Sequence, residues 1–265
     1  MVKTFGPLGP LNHRWAYARD LLYTLVGREL KLRYRRSLLG FAWSLLNPLA
    51  QLLVFGFVFR FILPLDIPNY TVFLFSGLLP WNWFSGALYG AAEAMTGSRE
   101  LVRRPGFPPA VLPVVTVTSH LVHFALALPV LFVFLWAGGV RLTWAVLALP
   151  AILLLQFVLT LSLGYLLAAV HVTFRDTQYL LNIALMLGFY LTPVFYDPGA
   201  IPGRFHLIFQ LNPMSHLIGA YRAVLLEGRL PDLAALALVG VISAALLLAG
   251  YRYFTRASDR FVEEL

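Results

Sequence analysis

Residues 142–170 read LTWAVLALPAILLLQFVLTLSLGYLLAAV, a run without a single Asp, Glu, Lys or Arg. A helix crosses the hydrocarbon core of a bilayer, about 30 Å thick, with about 20 residues, so the run is long enough to span one. Backbone polar groups have no water partners in lipid, which restricts spanning structures to helices and closed barrels. Barrel strands alternate polar and apolar residues. Here the apolar residues are continuous, and the run reads as a spanning helix.

Five further apolar runs lie outward from it, at 38–63, 70–92, 109–137, 179–196 and 233–253. The expected fold is therefore all-α, a polytopic membrane protein with six transmembrane helices. Composition agrees: of 265 residues 60% are hydrophobic and 12% charged, against about 25% charged in soluble domains. Too few polar side chains remain to cover a water-facing surface, which excludes a soluble enzyme, a disordered regulator and a nucleic-acid binder. Cysteine is absent, so disulfides, thiolate metal sites and cysteine nucleophiles are excluded too. Residues 1–36 interleave apolar residues with eight basic ones. That is not the pattern of a cleaved signal, and the first span is expected to be retained.

Basic residues orient the spans. Lys3, Arg14, Arg19, Arg28, Lys31, Arg33, Arg35, Arg36, Arg99, Arg103, Arg104, Arg175, Arg252, Arg256 and Arg260 fall on one side. Only Arg60, Arg141, Arg204, Arg222 and Arg229 fall on the other. Both termini are expected to be cytoplasmic. Within the N-terminal segment 1–37, residues 12–36 place Trp15, Tyr17, Leu21, Leu22, Leu25, Leu30 and Leu32 at helical spacing among basic residues. This suits an amphipathic helix lying in the membrane interface, near anionic headgroups. In the six-span domain 38–265, the long connection 197–232 holds Pro198, Pro202, Pro213 and Pro231 together with apolar pieces. Short broken helices re-entering the outer leaflet as a lid fit it better than an open loop.

A phosphate-binding loop needs Gly-x-x-x-x-Gly-Lys-[Ser/Thr], because glycine amides cradle the phosphates and the lysine reaches their outer oxygens. The only lysines, Lys3 and Lys31, follow Val2 and Leu30. The chain cannot be its own ATPase, and any ATP-driven activity must come from a partner. His120 and His123 stand three apart on the third span, but neither a carboxylate nor a third histidine in that segment completes a metal-ligand set. They read as polar residues that bond neighbouring helices or line a wet cavity. No catalytic residue and no metal ligand is assigned. In the connection 93–108, Glu93, Arg99, Glu100, Arg103 and Arg104 precede Pro105-Gly106-Phe107-Pro108-Pro109, a short charged peg able to transmit force to a cytoplasmic partner. Aromatic residues make up 15% of the chain. They include Phe55, Phe59, Trp81, Trp83, Tyr190, Phe195 and Tyr196, either interfacial anchors or rings along which sugar faces slide without strong, arresting hydrogen bonds.

Several motifs together resemble one family. Arg28-Glu29-Leu30-Lys31-Leu32-Arg33-Tyr34-Arg35-Arg36-Ser37-Leu38-Leu39-Gly40, continuing through Trp43 to Asn47-Pro48, is similar to the entry to the first span in polysaccharide-export permeases of the type-2 ABC exporter class. Gly77-Leu78-Leu79-Pro80-Trp81-Asn82-Trp83-Phe84, Phe107-Pro108, Phe174-Arg175-Asp176, Leu191-Thr192-Pro193-Val194-Phe195-Tyr196 and Leu211-Asn212-Pro213-Met214 resemble its later signatures, in order. The resemblance implies a homodimer joined by two ATP-binding subunits, which use ATP and Mg and push a lipid-linked polysaccharide outward across the bacterial inner membrane, O-antigen for lipopolysaccharide being one such cargo. No cofactor is expected on this chain itself. It further implies ATPase coupling through Arg28, Lys31, Arg33, Glu100, Arg103, Arg104, Arg175 and Asp176. The aromatic residues named above would line the channel, and an external gate would include Asn212, Pro213 and Met214. One departure stands out: the family commonly has a lysine and then a bulky residue before Phe-Pro, where this chain has Arg104-Pro105-Gly106. Positive charge is kept, and the turn is made tighter. The competing readings are an exporter of teichoic acid, capsule, drug or lipid, a passive channel, and an intramembrane metal-dependent enzyme using His120 and His123.

Overall fold

The computed structural model describes residues 11–34, 42–63, 65–258 and 260–264, and every regular element among them is helical. In chain order these are α1 (Leu11–Tyr34), α2 (Ala42–Phe57), α3 (Tyr70–Glu93), α4 (Arg99–Val102), α5 (Val111–Ala137), α6 (Leu149–Thr173), α7 (Thr177–Leu191), α8 (His206–Leu211), α9 (Pro213–Leu225), α10 (Leu233–Ser258) and α11 (Phe261–Glu264). A π-helical turn, Val58–Ile62, continues α2, and a 3-10 turn, Trp144–Ala148, leads into α6. Residues 1–10 and 35–41, the latter including Arg35, Arg36 and the start of the first expected span, lie outside the described residues. So do the side chains of Trp15, Tyr17, Arg33 and Trp43.

Among the described residues four segments are long and apolar enough to cross a membrane: Leu45–Ile62, Val111–Ala137, Trp144–Thr173 and Leu233–Ser258. The other two expected runs form helices, α3 with 24 residues and the shorter apolar α7 with 15. α7 stops at Leu191 rather than reaching residue 196 because Pro193 disfavours helical geometry in the residue before it; Thr192 is extended, with φ −109° and ψ 135°. The outside of the bundle is apolar: Val133, Trp136, Leu147, Leu154, Leu238, Val241 and Leu248 are all exposed. A surface of this kind is stable against lipid rather than water.

α3 is the hub, packing against α2, α5, α6, α7 and α9, and sixteen of its 24 residues are buried. Asn69 opens it in the left-handed region (φ 51°), and its side-chain amide donates to the Gly138 carbonyl at the end of α5. Small residues set the close approaches. A Cβ on Gly250 of α10 would lie 2.8 Å from the Ser162 carbonyl oxygen of α6, and one on Gly164 of α6 would lie 3.2 Å from the Cβ of Ala91 on α3. Such contacts let backbones meet where lipid provides no hydrophobic drive between helices. α9 lies inside the bundle against α3, α6 and α10, with nine of its 13 residues buried. The expected short helices of the 197–232 connection are thus α8 and α9, and protein covers much of α9. α1 packs against α5 through buried Leu25, with Leu21 and Leu22 half-buried and Arg28 and Lys31 exposed.

Candidate functional site

At one end of the bundle the rings of α2, α3, α7 and the following turn form a continuous aromatic face. Phe55 stacks on Phe59 one helical turn away (centroids 6.0 Å apart), and Phe195 lies 5.4 Å from Phe59 and 5.6 Å from Phe55. Phe189 joins them, 5.7 Å from Phe55 and 5.5 Å from Phe195. Tyr190 and Tyr196 complete the row, 6.0 Å and 4.9 Å from Phe195. Phe55, Phe59, Phe195 and Tyr196 are half-buried, while Tyr190 is exposed. The expected rings from α2 and α7 therefore come together on one surface. The two tryptophans sit elsewhere. Trp83 is buried against Phe124 of α5 (5.2 Å), and Trp81 is buried where α3 meets α7, its ring over Gly188 and 5.8 Å from Phe189. Neither ring is on the surface of the chain.

The turn carrying Phe195 and Tyr196 is pinned from several directions. Arg222, on α9, is 4% exposed and donates to the carbonyls of Pro193 and Val194, each at 2.7 Å, and of Phe73 at 3.4 Å. Its guanidinium carbon also lies 3.5 Å from the Phe73 ring centroid. A planar, delocalised cation with several donors suits this combined fork and stack. Gly77 makes room for it, since a Cβ there would be 2.8 Å from the Val194 oxygen and 3.0 Å from an Arg222 nitrogen. Tyr70 donates to the Phe195 carbonyl and Tyr196 to the Tyr190 carbonyl. Asn212 serves two elements: its oxygen caps α9 by accepting from the Met214 amide, and its nitrogen donates to Thr192 Oγ1 at 2.8 Å. Pro213 follows at the first helical position, where its missing N–H costs nothing, and Met214 is buried.

Behind this turn a buried polar chain ties three helices. Tyr221 donates to the Gln156 side-chain oxygen and Gln156 donates to the Pro80 carbonyl, both at 2.8 Å. Sequence reasoning assigned no role to Arg222, Tyr221 or Gln156. The available signals were an arginine within the apolar helix of α9 and a lone amide in the opening run of residues 142–170, since polar groups at membrane depth seldom go unused.

Of the expected coupling residues, Arg28 and Glu100 come together at the opposite end. A cleft of about 570 Å³ is lined by Leu25, Arg28 and Glu29 of α1 together with Glu93, Arg99 and Glu100. α4 is the peg, four residues long, with Arg103 and Arg104 exposed just beyond it. The departure at Pro105-Gly106 is a hydrogen-bonded turn, with Gly106 at φ 79° and the Phe107 amide donating to the Arg104 carbonyl. Positive φ at the third position after a proline at the second is the type II pattern, which favours glycine there. Arg175 and Asp176 are exposed between α6 and α7. His120 and His123 face each other with ring centroids 5.9 Å apart, and His120 packs over Gly86. Among the described residues no three His, Asp or Glu side chains converge as a metal site would require.

A bundle with an apolar exterior, a charged peg at one end and a pinned aromatic turn at the other is built as a membrane transport subunit. The chain belongs to the ABC-2 type transporter family, whose sequence pattern matches residues 20–226. It is 41% identical over 249 residues to an O-antigen export system permease protein, RfbA, of Myxococcus xanthus, covering 93% of this chain and 96% of that one. A Klebsiella pneumoniae RfbA of the same description is 32% identical over 259 residues, covering 96% of this chain and 98% of that one. The polysialic acid transport protein KpsM of Escherichia coli is 25% identical over 241 residues, 85% of this chain and 90% of that one.

Proposed function

We propose that this chain is the transmembrane subunit of an ATP-driven exporter that carries a lipid-linked polysaccharide of the O-antigen kind across the bacterial inner membrane. The observation that carries this reading is the end-to-end likeness to an O-antigen permease at 41% identity. The weaker likeness to the polysialic acid protein, at 25%, favours O-antigen over polysialic acid. In this reading α2, α3, α5, α6, α7 and α10 are six spans with both termini cytoplasmic. Two copies join two ATP-binding subunits, which supply the ATP and Mg chemistry.

The division of labour follows from packing. Only Thr177, Leu181 and Leu185 of α7 are buried, whereas Leu180, Ile183, Met186, Leu187 and Tyr190 are exposed. α7 thus keeps a broad uncovered face, and that face together with that of α2 forms the surface on which a second copy closes the channel. Phe55, Phe59, Tyr190, Phe195 and Tyr196 line it, offering ring faces to sugar C–H groups with binding weak enough to release. Trp81 stays wedged under α7 until that helix moves. Arg28, Lys31, Arg33, Glu100, Arg103, Arg104 and Asp176 meet the ATPase. Closure of the ATPase pair displaces the peg, and α7 follows through the Tyr89–Asn182 hydrogen bond at 2.7 Å and the Gln178–Glu93 hydrogen bond. At the far end Asn212, Pro213, Met214 and Arg222 decide whether the aromatic turn yields, which makes α8 and α9 the external gate.

Substrate-stimulated hydrolysis by the assembled complex tests the cargo. Lipid-linked O-antigen should raise the ATPase rate, and hydrophobic drugs should not. Stimulation by drugs alone would replace the polysaccharide with another cargo.

A further inference from the structure

A second polar cleft, of about 680 Å³, opens at the peg end between α3, the start of α7 and the end of α6. Tyr89, Glu93, Arg99, His171, Arg175, Gln178 and Asn182 bring polar groups to its wall. Its volume falls within the range usual for small-molecule sites, about 300–1,000 Å³. Among the described residues neither Arg99 nor Arg175 enters an ion pair. The one carboxylate of the wall, Glu93, already accepts a hydrogen bond from the Gln178 amide. His171 is 6% exposed, and its Nδ1 is buried without a hydrogen-bond partner. A buried nitrogen of this kind ordinarily has a partner, in protein, water or ligand.

We infer that this cleft binds the phosphate-bearing junction between lipid and sugar of the exported molecule as it enters from the inner leaflet, an inference that rests on the transport reading above. Two guanidiniums against one occupied carboxylate leave the wall net positive. Arginine forks match phosphate oxygens in pairs. The imidazole of His171 and the Tyr89 and Asn182 side chains add polar contacts. Where the lipid is joined to the sugar through phosphate, that anion marks the junction, so a site at the mouth of α7 would hold the molecule in register while its sugar reaches the aromatic face. Arg175, which flanks Asp176 at the ATPase end, belongs in this account to the cargo.

The test uses the complete permease–ATPase complex in lipid nanodiscs of phosphatidylcholine doped with a polyprenyl diphosphate, with retained lipid read by native mass spectrometry. The double variant Arg99→Gln/Arg175→Gln should retain the diphosphate lipid about tenfold less well or worse, as expected for lost charge-assisted hydrogen bonds. Arg99→Lys/Arg175→Lys should restore most of it, because the charge remains. Phosphatidylglycerol, which offers a single phosphate, should compete poorly. Undiminished binding by the glutamine variant overturns the site. So does equal binding of phosphatidylglycerol, which would mean a general anionic-lipid surface, or loss of the ATPase subunit with lipid binding intact, which would mean a docking surface. If the wild-type complex exports glycan while the glutamine variant binds diphosphate lipid normally, only this site falls. If the wild type neither binds the lipid nor exports glycan, the transport reading falls with it.

Discussion

Arg222 replaces, with one side chain, the backbone hydrogen bonds that the turn after α7 cannot make for itself. Arg222→Met leaves the carbonyls of Pro193 and Val194 buried without this donor, and each abandoned acceptor costs about 1–3 kcal/mol. The purified variant should unfold at a clearly lower temperature than wild type in the same detergent, with Arg222→Lys intermediate because an ammonium cannot fork. The rings this turn carries have a different signature. Phe59→Ala and Tyr196→Ala should each reduce glycan export several-fold while leaving assembly with the ATPase intact, and wild-type flux in both would remove them from the channel. These residues were legible in the sequence to different degrees. Phe55 and Phe59, one turn apart, already shared a helix face. Asn212 before Pro213 already read as a helix start. Arg222 could only be counted as one more charge on the outer side, because its burial depends on α9 folding back against Phe73 and Val194, contacts 149 and 28 residues away in the chain.

The helices divide into an anchored set and a displaceable one. α6 and α10 form the anchored pair, meeting where Gly250 touches the Ser162 backbone. Gly250→Leu forces these backbones apart, and overpacking of this kind typically costs about 1–3 kcal/mol; lower thermal stability of the purified chain would show it. α7 is the helix proposed to move, and the peg proposed to move it is short, with Arg103 and Arg104 exposed beside it. Reversing charge with Arg103→Glu/Arg104→Glu should weaken co-purification of the ATPase without lowering the thermal stability of the permease itself. The positions of the long helices were readable because an apolar run in lipid has one stable solution. The end of α7 was overrun, since continued hydrophobicity through residue 196 masked the stop that Pro193 imposes on Thr192. The connection 197–232 was readable as broken helices, but not the burial of α9, because composition records how apolar a segment is and not what covers it.

At the scale of the whole molecule, the basic residues of the N-terminal segment, the peg, the α6–α7 turn and the tail would, under the positive-inside bias, share the cytoplasmic side in the proposed orientation, and the peg and cleft lie at the end where an ATPase would bind. The aromatic face lies at the other end, on α2, α7 and the turn that follows α7. On the proposed reading such a chain works as part of a larger assembly, with a second copy to close the channel and a partner to hydrolyse ATP. The most direct test is export in sealed proteoliposomes, with lipid-linked O-antigen supplied on the side of the ATPase. Glycan should appear on the far side when ATP is present and the partner can hydrolyse it, and should not when a hydrolysis-deficient partner is substituted. Undiminished glycan movement with the deficient partner would contradict the account.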